Sequence, residues 1–535
     1  MSSRRRWAVT IGVMTGMFIA ALEATVVGTA MPTVISTLGG LNRYSWVFTA
    51  YIVTSTVTVP VWGKLSDLYG RRLLYQVGIG IFLLGTLLSG MSASMTQLII
   101  FRAIQGLGAG ALIPLAMTII GDIFTLRERA RMQALFSGVW GLSSVVGPII
   151  GGFITDNISW RWVFFINLPI GIVAAIIIGF ALKEPGIDEK PKIDYAGAVV
   201  LMAAISLLML AMVEGGTSVE TLFAPHNLLL FGASAFLLVL FFVIEKRAAD
   251  PIIPFALFGS PTIRVSVIAG FLAGFAMFGG ISFIPLFAQG ALGASATQAG
   301  SLLTPLMLSW VAMSVVGGRV LLKIGYRTIS LIGFVILTLG FLLLTQFERT
   351  TAYFWLYFDL ALIGSGLGMT MLTLLIAVQQ AVDRAQLGIA TSLNQFTRSI
   401  GGAFGVAIMG AVLTAGLASQ LHNVAVSGTT SLTIDEASSF ARNPNALIDP
   451  AAKASLPAET LTILQNAMAA AIHPAFWVAA VVSGLALIAC FFLPRDRKSI
   501  HKTDGNSGER MLMAEQTTIN ARNQPVAEPD AEEDS

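Results

Sequence analysis

Fourteen apolar runs, each close to the length a helix needs to cross a bilayer, constrain this 535-residue chain more than any other feature. Crossing about 30 Å of hydrocarbon takes roughly 20 apolar residues. A backbone in lipid has to satisfy its own hydrogen bonds, so runs of this length are expected to be helices. They cover 7–29, 45–64, 73–92, 97–120, 133–155, 162–182, 194–213, 227–244, 264–288, 299–322, 328–346, 353–378, 389–416 and 474–493. Only 11% of the residues are charged, against about a quarter in soluble domains. The fold class is therefore an all-α polytopic membrane protein with 14 transmembrane helices. Arg4, Arg5 and Arg6 ahead of apolar residues imitate a signal peptide. The run from Trp7 to Thr29 is long enough to span, and it reads as a retained first helix.

The same inventory excludes several function classes. The single cysteine, Cys490, lies inside the last run, which leaves no disulfide framework and no cysteine-based metal site. Four histidines without close pairing add no metal ligands, and no G-x-x-x-x-G-K-[ST] loop offers ATP hydrolysis. With no nucleophile–base pair either, neither an enzyme nor a cofactor is expected, and no nucleic-acid partner. Lys and Arg collect on cytoplasmic loops. With the N-terminus inside, only Arg43, Arg161, Arg349, Arg442 and Lys453 fall outside. That bias predicts a multi-pass protein of the plasma (inner) membrane with both termini cytoplasmic.

Between the second and third runs stands Gly63-Lys64-Leu65-Ser66-Asp67-Leu68-Tyr69-Gly70-Arg71-Arg72. Two glycines, an acid and three cations between two spans make a tight loop at the cytoplasmic interface. The pattern G-x-L-x-D-x-x-G-R-[RK] resembles the signature loop of the major facilitator superfamily. The resemblance implies a conformational switch made of Gly63, Asp67, Gly70, Arg71 and Arg72. In that family the acid clamps the loop against a helix start and neighbouring cations, favouring the outward-facing state.

Further motifs extend the resemblance over about residues 7–495. Arg102-Ala103-Ile104-Gln105-Gly106-Leu107-Gly108-Ala109-Gly110 looks like the family's fourth-span motif with its buried arginine. Gly138 and Gly147-Pro148-Ile149-Ile150-Gly151-Gly152 resemble the fifth-span motif of exporters, with Ser143 where a glycine is usual. Leu22 to Pro32 looks like L-D-x-T-[IV]-V-N-x-A-[LM]-P of the fourteen-helix drug:proton antiporters (EmrB/QacA type). Here Glu23 replaces the Asp and Gly28 the Asn. The stretch Trp160–Pro169 also fits that family.

The chain repeats itself weakly. Gly318–Arg327 echoes the 63–72 loop at an offset of 255, with Leu322 in place of Asp67. Gly364–Gly368 echoes Gly106–Gly110, and Asp383-Arg384-Ala385 echoes Glu128-Arg129-Ala130. Two related halves follow, each a six-helix bundle: 1–182 and 264–493, with an inserted helix pair at 183–263. Such parallel repeats place a substrate site between halves near the midplane. Residues 418–472 are expected as an external loop, with helical character over Ala458–Ala471, and 494–535 as a disordered cytoplasmic tail.

Isolated charges within spans are the candidate site. Glu23 stands alone in an apolar helix, where an ionised side chain costs about 3 kcal/mol on insertion scales. It is read as a proton-binding site; the alternative is a structural glutamate held by Thr25 or Thr29. Arg102 either relays charge to such an acid or fixes the fourth helix. Asp359 is either a second proton or cation site or an interfacial residue. Arg398, at the place of Ser143 in the repeat, is a partner for an acid or a substrate contact. Phe275, Phe278 and Phe283 either line a cavity for aromatic cations or face lipid and core. The function implied is proton-coupled export of amphipathic or cationic compounds by alternating access, with small hydrophobic or cationic substrates, protons and the lipid bilayer as partners and no oligomer required. Export of a lipid or another hydrophobic metabolite is the nearest alternative, and a membrane assembly or channel component without coupling a more distant one.

Overall fold

Leucine, isoleucine, valine and alanine carry each long run as a helix, and glycine, proline and short capping side chains decide where the runs end. The computed structural model describes residues 2–39, 43–183, 194–215, 219–294, 296–349, 351–426, 433–442 and 456–495. All regular structure among them is helical. In order these are α1 (Ser3–Leu38), α2 (Tyr44–Tyr69), α3 (Arg71–Gly90), α4 (Met95–Ile123), α5 (Leu126–Asn157), α6 (Trp162–Phe165), α7 (Asn167–Ala181) and α8 (Tyr195–Gly215). They continue with α9 (Val219–Leu222), α10 (Pro225–Glu245), α11 (Pro261–Gly290), α12 (Ala296–Leu344), α13 (Tyr353–Gln380), α14 (Leu387–Val426), α15 (Ile434–Arg442) and α16 (Ala458–Cys490).

Twelve stretches among the described residues are long and apolar enough to cross a membrane. The second and fifth runs of the sequence, now α2 and α5, are continuous helices of 26 and 32 residues but are not among the twelve. Threonines dilute α2, and they satisfy themselves within it: Thr54 Oγ1 donates to Ala50 O at 2.7 Å and Thr58 Oγ1 to Thr54 O at 2.8 Å.

The local code is visible at the termini. Ser94 caps α4 by accepting from Gln97 N at 3.3 Å, and Gln97 Oε1 accepts in return from Ala93 N at 2.9 Å. Thr125 and Glu128 form a capping box at the start of α5. Pro225 and Pro261 open α10 and α11, where a missing N–H costs nothing. Gly70 separates α2 from α3 at φ 88°, ψ 151°, and Gly325 bends α12 at φ 81°, ψ 163°. Side chains with a Cβ avoid this region. The two glycines stand 255 residues apart, so the sequence echo is also a conformational one.

Runs ten and eleven are separate membrane-length stretches, Ser301–Leu321 and Lys323–Leu344, that meet at a kink where Gly325 departs from helical geometry. Two other boundaries differ from expectation. Run six breaks after Phe165 into α6 and α7. The expected external loop 418–472 is partly helix: α14 continues to Val426 and α16 begins at Ala458. Apolar burial explains the extension, since Leu421, Leu464 and Met468 enter the core of the C-terminal helices and Leu461 packs against it. The rest of that loop, 427–432 and 443–455, and the tail beyond Arg495 lie outside the described residues.

Among the described residues, four apolar cores hold the helices together. One gathers α11–α14 and α16 around Phe287, Phe334, Phe341 and Phe476. Two others hold α1–α7 together, one around Tyr75, Phe82 and Phe136, the other around Leu22, Val47 and Phe164. A fourth core joins α8 and α10 to α2 and α14 through Leu201, Phe241, Val57 and Leu393. α8 and α10 thus pack on both α2 and α14.

Candidate functional site

Four helices deliver polar side chains to one point inside the N-terminal helices. Glu23 on α1 is fully buried, and Arg102 on α4 is 1% exposed. Arg102 Nη1 donates to Glu23 Oε1 at 2.5 Å and to Gln105 Oε1 at 2.7 Å. Asn167, the first residue of α7, donates from Nδ2 to Glu23 Oε2 at 2.6 Å. Gln105 Nε2 donates on to Thr86 Oγ1 of α3 at 2.7 Å, and Arg102 Nε reaches Val47 O of α2 at 3.2 Å. The guanidinium also sits 4.2 Å from the centre of the Tyr51 ring, a favourable cation–π distance. Desolvation makes a lone charge here prohibitive, whereas a hydrogen-bonded pair is tolerated.

The pairing answers one alternative and leaves another. Glu23 is held by Arg102 and Asn167 rather than by Thr25, whose hydroxyl donates instead to Leu22 O at 2.9 Å and Ser143 O at 3.1 Å. The Thr29 side chain lies outside the described residues. Arg102 serves an acid and fixes its helix at once. Sequence reasoning passed over Gln105 and Asn167, although both stand in quoted motifs. Gln105 is three residues from Arg102 and so on the same helix face; nothing in the sequence marked Asn167 as facing Glu23.

The second cluster is the signature loop. Asp67 Oδ1 accepts from Gly388 N at 2.9 Å and Oδ2 from Ile389 N at 2.8 Å, so a side chain of α2 caps the first turn of α14. Arg71 Nη2 donates to Asp67 Oδ1 at 2.6 Å, and its Nε lies 2.9 Å from Asp122 Oδ2. Arg384 Nε closes the group on Asp122 Oδ1 at 3.1 Å. Burial pushes Asp67 up to about 6 against the pull of Arg71 and the two backbone N–H groups. Gly63 and Gly388 let α2 and α14 touch: a Cβ on Gly63 would collide with Ser392, and one on Gly388 would lie 2.8 Å from Gly63 O. Gly70 sets the turn and Arg72 is half-buried beside it. Asp122 and Arg384, from the fourth span and the 383–385 echo, complete a cluster of which the sequence exposed only the α2–α3 part.

The exporter motif meets the first helix beside Glu23. A Cβ on Gly147 would collide with Thr25 Oγ1, so α5 and α1 cross in contact there. Gly151 is buried, while Gly138 and Gly152 face open space where a Cβ would meet nothing within 4 Å. Pro148 lies within α5; its side chain is outside the described ones.

The C-terminal candidates stay apart from these clusters. Asp359 on α13 is fully buried, and neither carboxylate oxygen has a hydrogen-bond partner among the described residues. Arg398 on α14 donates to Gln395 Oε1 and approaches Met371 Sδ at 3.5 Å, and no carboxylate among the described residues pairs with it. Phe278 is 40% exposed and lies over Gly402, while Phe275 and Phe283 are core.

Known proteins resemble the chain throughout. The sequence model of the Major Facilitator Superfamily matches residues 13–406. The multidrug transporter protein MdtP of Bacillus subtilis (strain 168) is 37% identical over 94% of this chain and 95% of its own length. Multidrug resistance protein 3 of the same organism is 36% identical over 91% and 95%. Among solved structures, the human organic anion transporter MFSD10 (TETRAN) superposes with a TM-score of 0.61 over 92% of this chain and all of that one, at 16% identity, a likeness of fold alone. With a buried Glu–Arg pair, a capped signature loop and this continuous similarity, the chain is a multi-pass membrane protein that belongs to the major facilitator superfamily, a family of transporters rather than enzymes.

Proposed function

We propose that the chain exports amphipathic or cationic small molecules in exchange for protons, by alternating access. The buried Glu23–Arg102 pair carries this reading. Ionised, Glu23 holds Arg102 and receives Asn167; protonated, it gives up the charge that holds the guanidinium. A proton taken up there biases a network with two arrangements, which is what coupling requires. Relatives named as multidrug transporters support the substrate class. Export of a lipid or another hydrophobic metabolite is the rival on the same fold, since fold does not fix substrate.

The architecture proposed with it has fourteen crossings, α2 and α5 joining the twelve. Their lengths and their contact with α14 and α1 support this. The two bundles are 1–182 and 264–493, with 183–263 the inserted pair, and both termini are cytoplasmic. Asp67, Arg71 and their partners then close the cytoplasmic side. Asp359 is a second acid available to cations.

The test is substrate efflux against an imposed pH gradient in proteoliposomes at equal protein content. Glu23→Gln keeps hydrogen bonding but cannot exchange a proton, so uphill efflux should be lost while downhill exchange survives. Glu23→Asp should retain partial activity with a shifted pH dependence. Wild-type accumulation by Glu23→Gln overturns the assignment and moves the search to Asp359.

A further inference from the structure

Arg398 carries a charge in the membrane interior without an acid to balance it among the described residues. Its Nε is shut off from solvent and has no hydrogen-bond partner among the described residues. Asn394, one turn earlier on α14, is 6% exposed, and its Nδ2 likewise has no acceptor among them. Residues four apart lie on one helix face, so the two unmet donors are neighbours. Buried polar groups are seldom left unpaired, and each one costs its full desolvation. A charged one within a span calls for a partner.

Position narrows what that partner is. Arg398 lies ten residues past Gly388, where Asp67 caps α14, or about 15 Å along the axis. That is half of a hydrocarbon core of about 30 Å, the depth at which transporters of this repeat plan hold their cargo. Met371, against which Arg398 rests, is nine residues from the α13 end at Gln380 and hence at a similar depth. Asp359, the unpaired acid of α13, is a further twelve residues along, about 18 Å away, and out of reach of the guanidinium. Gly402 continues the Asn394–Arg398 stripe by one more turn, and the Phe278 ring packs on it. Opposite Asn394 stands Gly270, whose missing side chain leaves room beside the amide.

We infer that Arg398 and Asn394 form a subsite for an oxyanion, of the carboxylate or sulfonate kind, on the molecule being exported. The guanidinium supplies charge and a planar fork of donors suited to such a group. The Asn394 amide adds a further N–H, and the Phe278 ring flanks the apolar body of the molecule. This rests on the export reading above and widens its substrate class: acidic and zwitterionic amphiphiles are accepted beside cations. Arg398 thereby takes the role of a substrate contact, and the acid that balances it arrives with the cargo.

The experiment is calorimetric titration of the full chain in nanodiscs at pH 7 with para-butylbenzoate, its methyl ester and para-butylbenzylamine. The carboxylate should bind the wild type about tenfold more tightly than the ester, the scale of one hydrogen bond to a charged group. Arg398→Gln should erase that preference while the ester still binds, and should not weaken the amine, which loses a like charge beside it. Arg398→Lys should restore part of it, and Asn394→Leu should reduce it. Equal affinities of carboxylate and ester for the wild type overturn the subsite. So does a parallel loss of all three probes in Arg398→Gln, which marks a packing role. Ethidium efflux driven by a pH gradient is measured separately. Its failure with the carboxylate preference intact sinks the export reading and not the subsite.

Discussion

Lys64, near the end of α2, and Asp250, in the segment that follows α10, form an ion pair of 2.5 Å. Lys64 is 7% exposed, and the same segment is tied a second time where Ile253 N donates to Glu245 Oε1 at 2.5 Å. The segment after α10 is thereby fastened to the helix that bears the signature loop. Removing one partner of a buried pair costs about 3–5 kcal/mol, less where one side is open to water, as the one-third exposed Asp250 is. Asp250→Ala should therefore lower the Tm by several degrees. Lys64→Met together with Asp250→Ala should recover most of it, because no uncompensated charge remains. Scanning fluorimetry reads both, and strictly additive losses count against the pairing.

Asp67 is buried between α2 and the start of α14, and burial raises it to about 6. Exposed to water on opening, the carboxyl returns to the ordinary range near 4. The closed form therefore binds the proton more tightly; it gains stability as pH falls through about 6 and loses that gain as pH rises past it. A reporter cysteine at Ser392, in a Cys490→Ala background, should react more slowly with a maleimide at pH 5 than at pH 7 once thiolate reactivity is corrected for. Asp67→Asn should abolish the difference and slow transport without preventing insertion. A pH response that persists in Asp67→Asn assigns it to another group.

Where Gly147 meets Thr25, the α5 backbone lies against a threonine side chain, and a Cβ would collide with its hydroxyl. Overpacking such a contact costs about 1–3 kcal/mol. Gly147→Ala should lower the Tm and depress efflux, since Glu23 lies two residues from the displaced Thr25. Thr25→Ala in the same protein makes room for the new methyl and should restore both. If the double variant is no better than Gly147→Ala, the contact is not what the glycine serves.

The helices were legible because lipid leaves a backbone no alternative, and Glu23 and Arg102 were legible because a charge in an apolar run stands out. Their partnership was not. Seventy-nine residues separate them, and only the packing of α1 on α4 sets which side of each faces the other. Asp67 was visible as the acid of a motif, whereas Gly388 and Ile389 contribute backbone N–H groups that no side chain announces. The end of the last external loop was legible in part. Helical character over Ala458–Ala471 showed in the sequence, whereas its continuation into the last span as one helix, Ala458–Cys490, depends on the core that Leu464 and Met468 enter.

Pseudo-symmetry between the halves ends at the starts of α5 and α14. The first carries its own cap, Thr125 with Glu128; the second borrows Asp67 from the other half, and the counterpart of Asp67 in the repeat is Leu322. Separating the halves at this face strips α14 of a cap worth about 1 kcal/mol and leaves α5 untouched. Of two helix starts that correspond in a weak repeat, one thus carries its cap within itself, and the other keeps its cap only while α2 stays in contact.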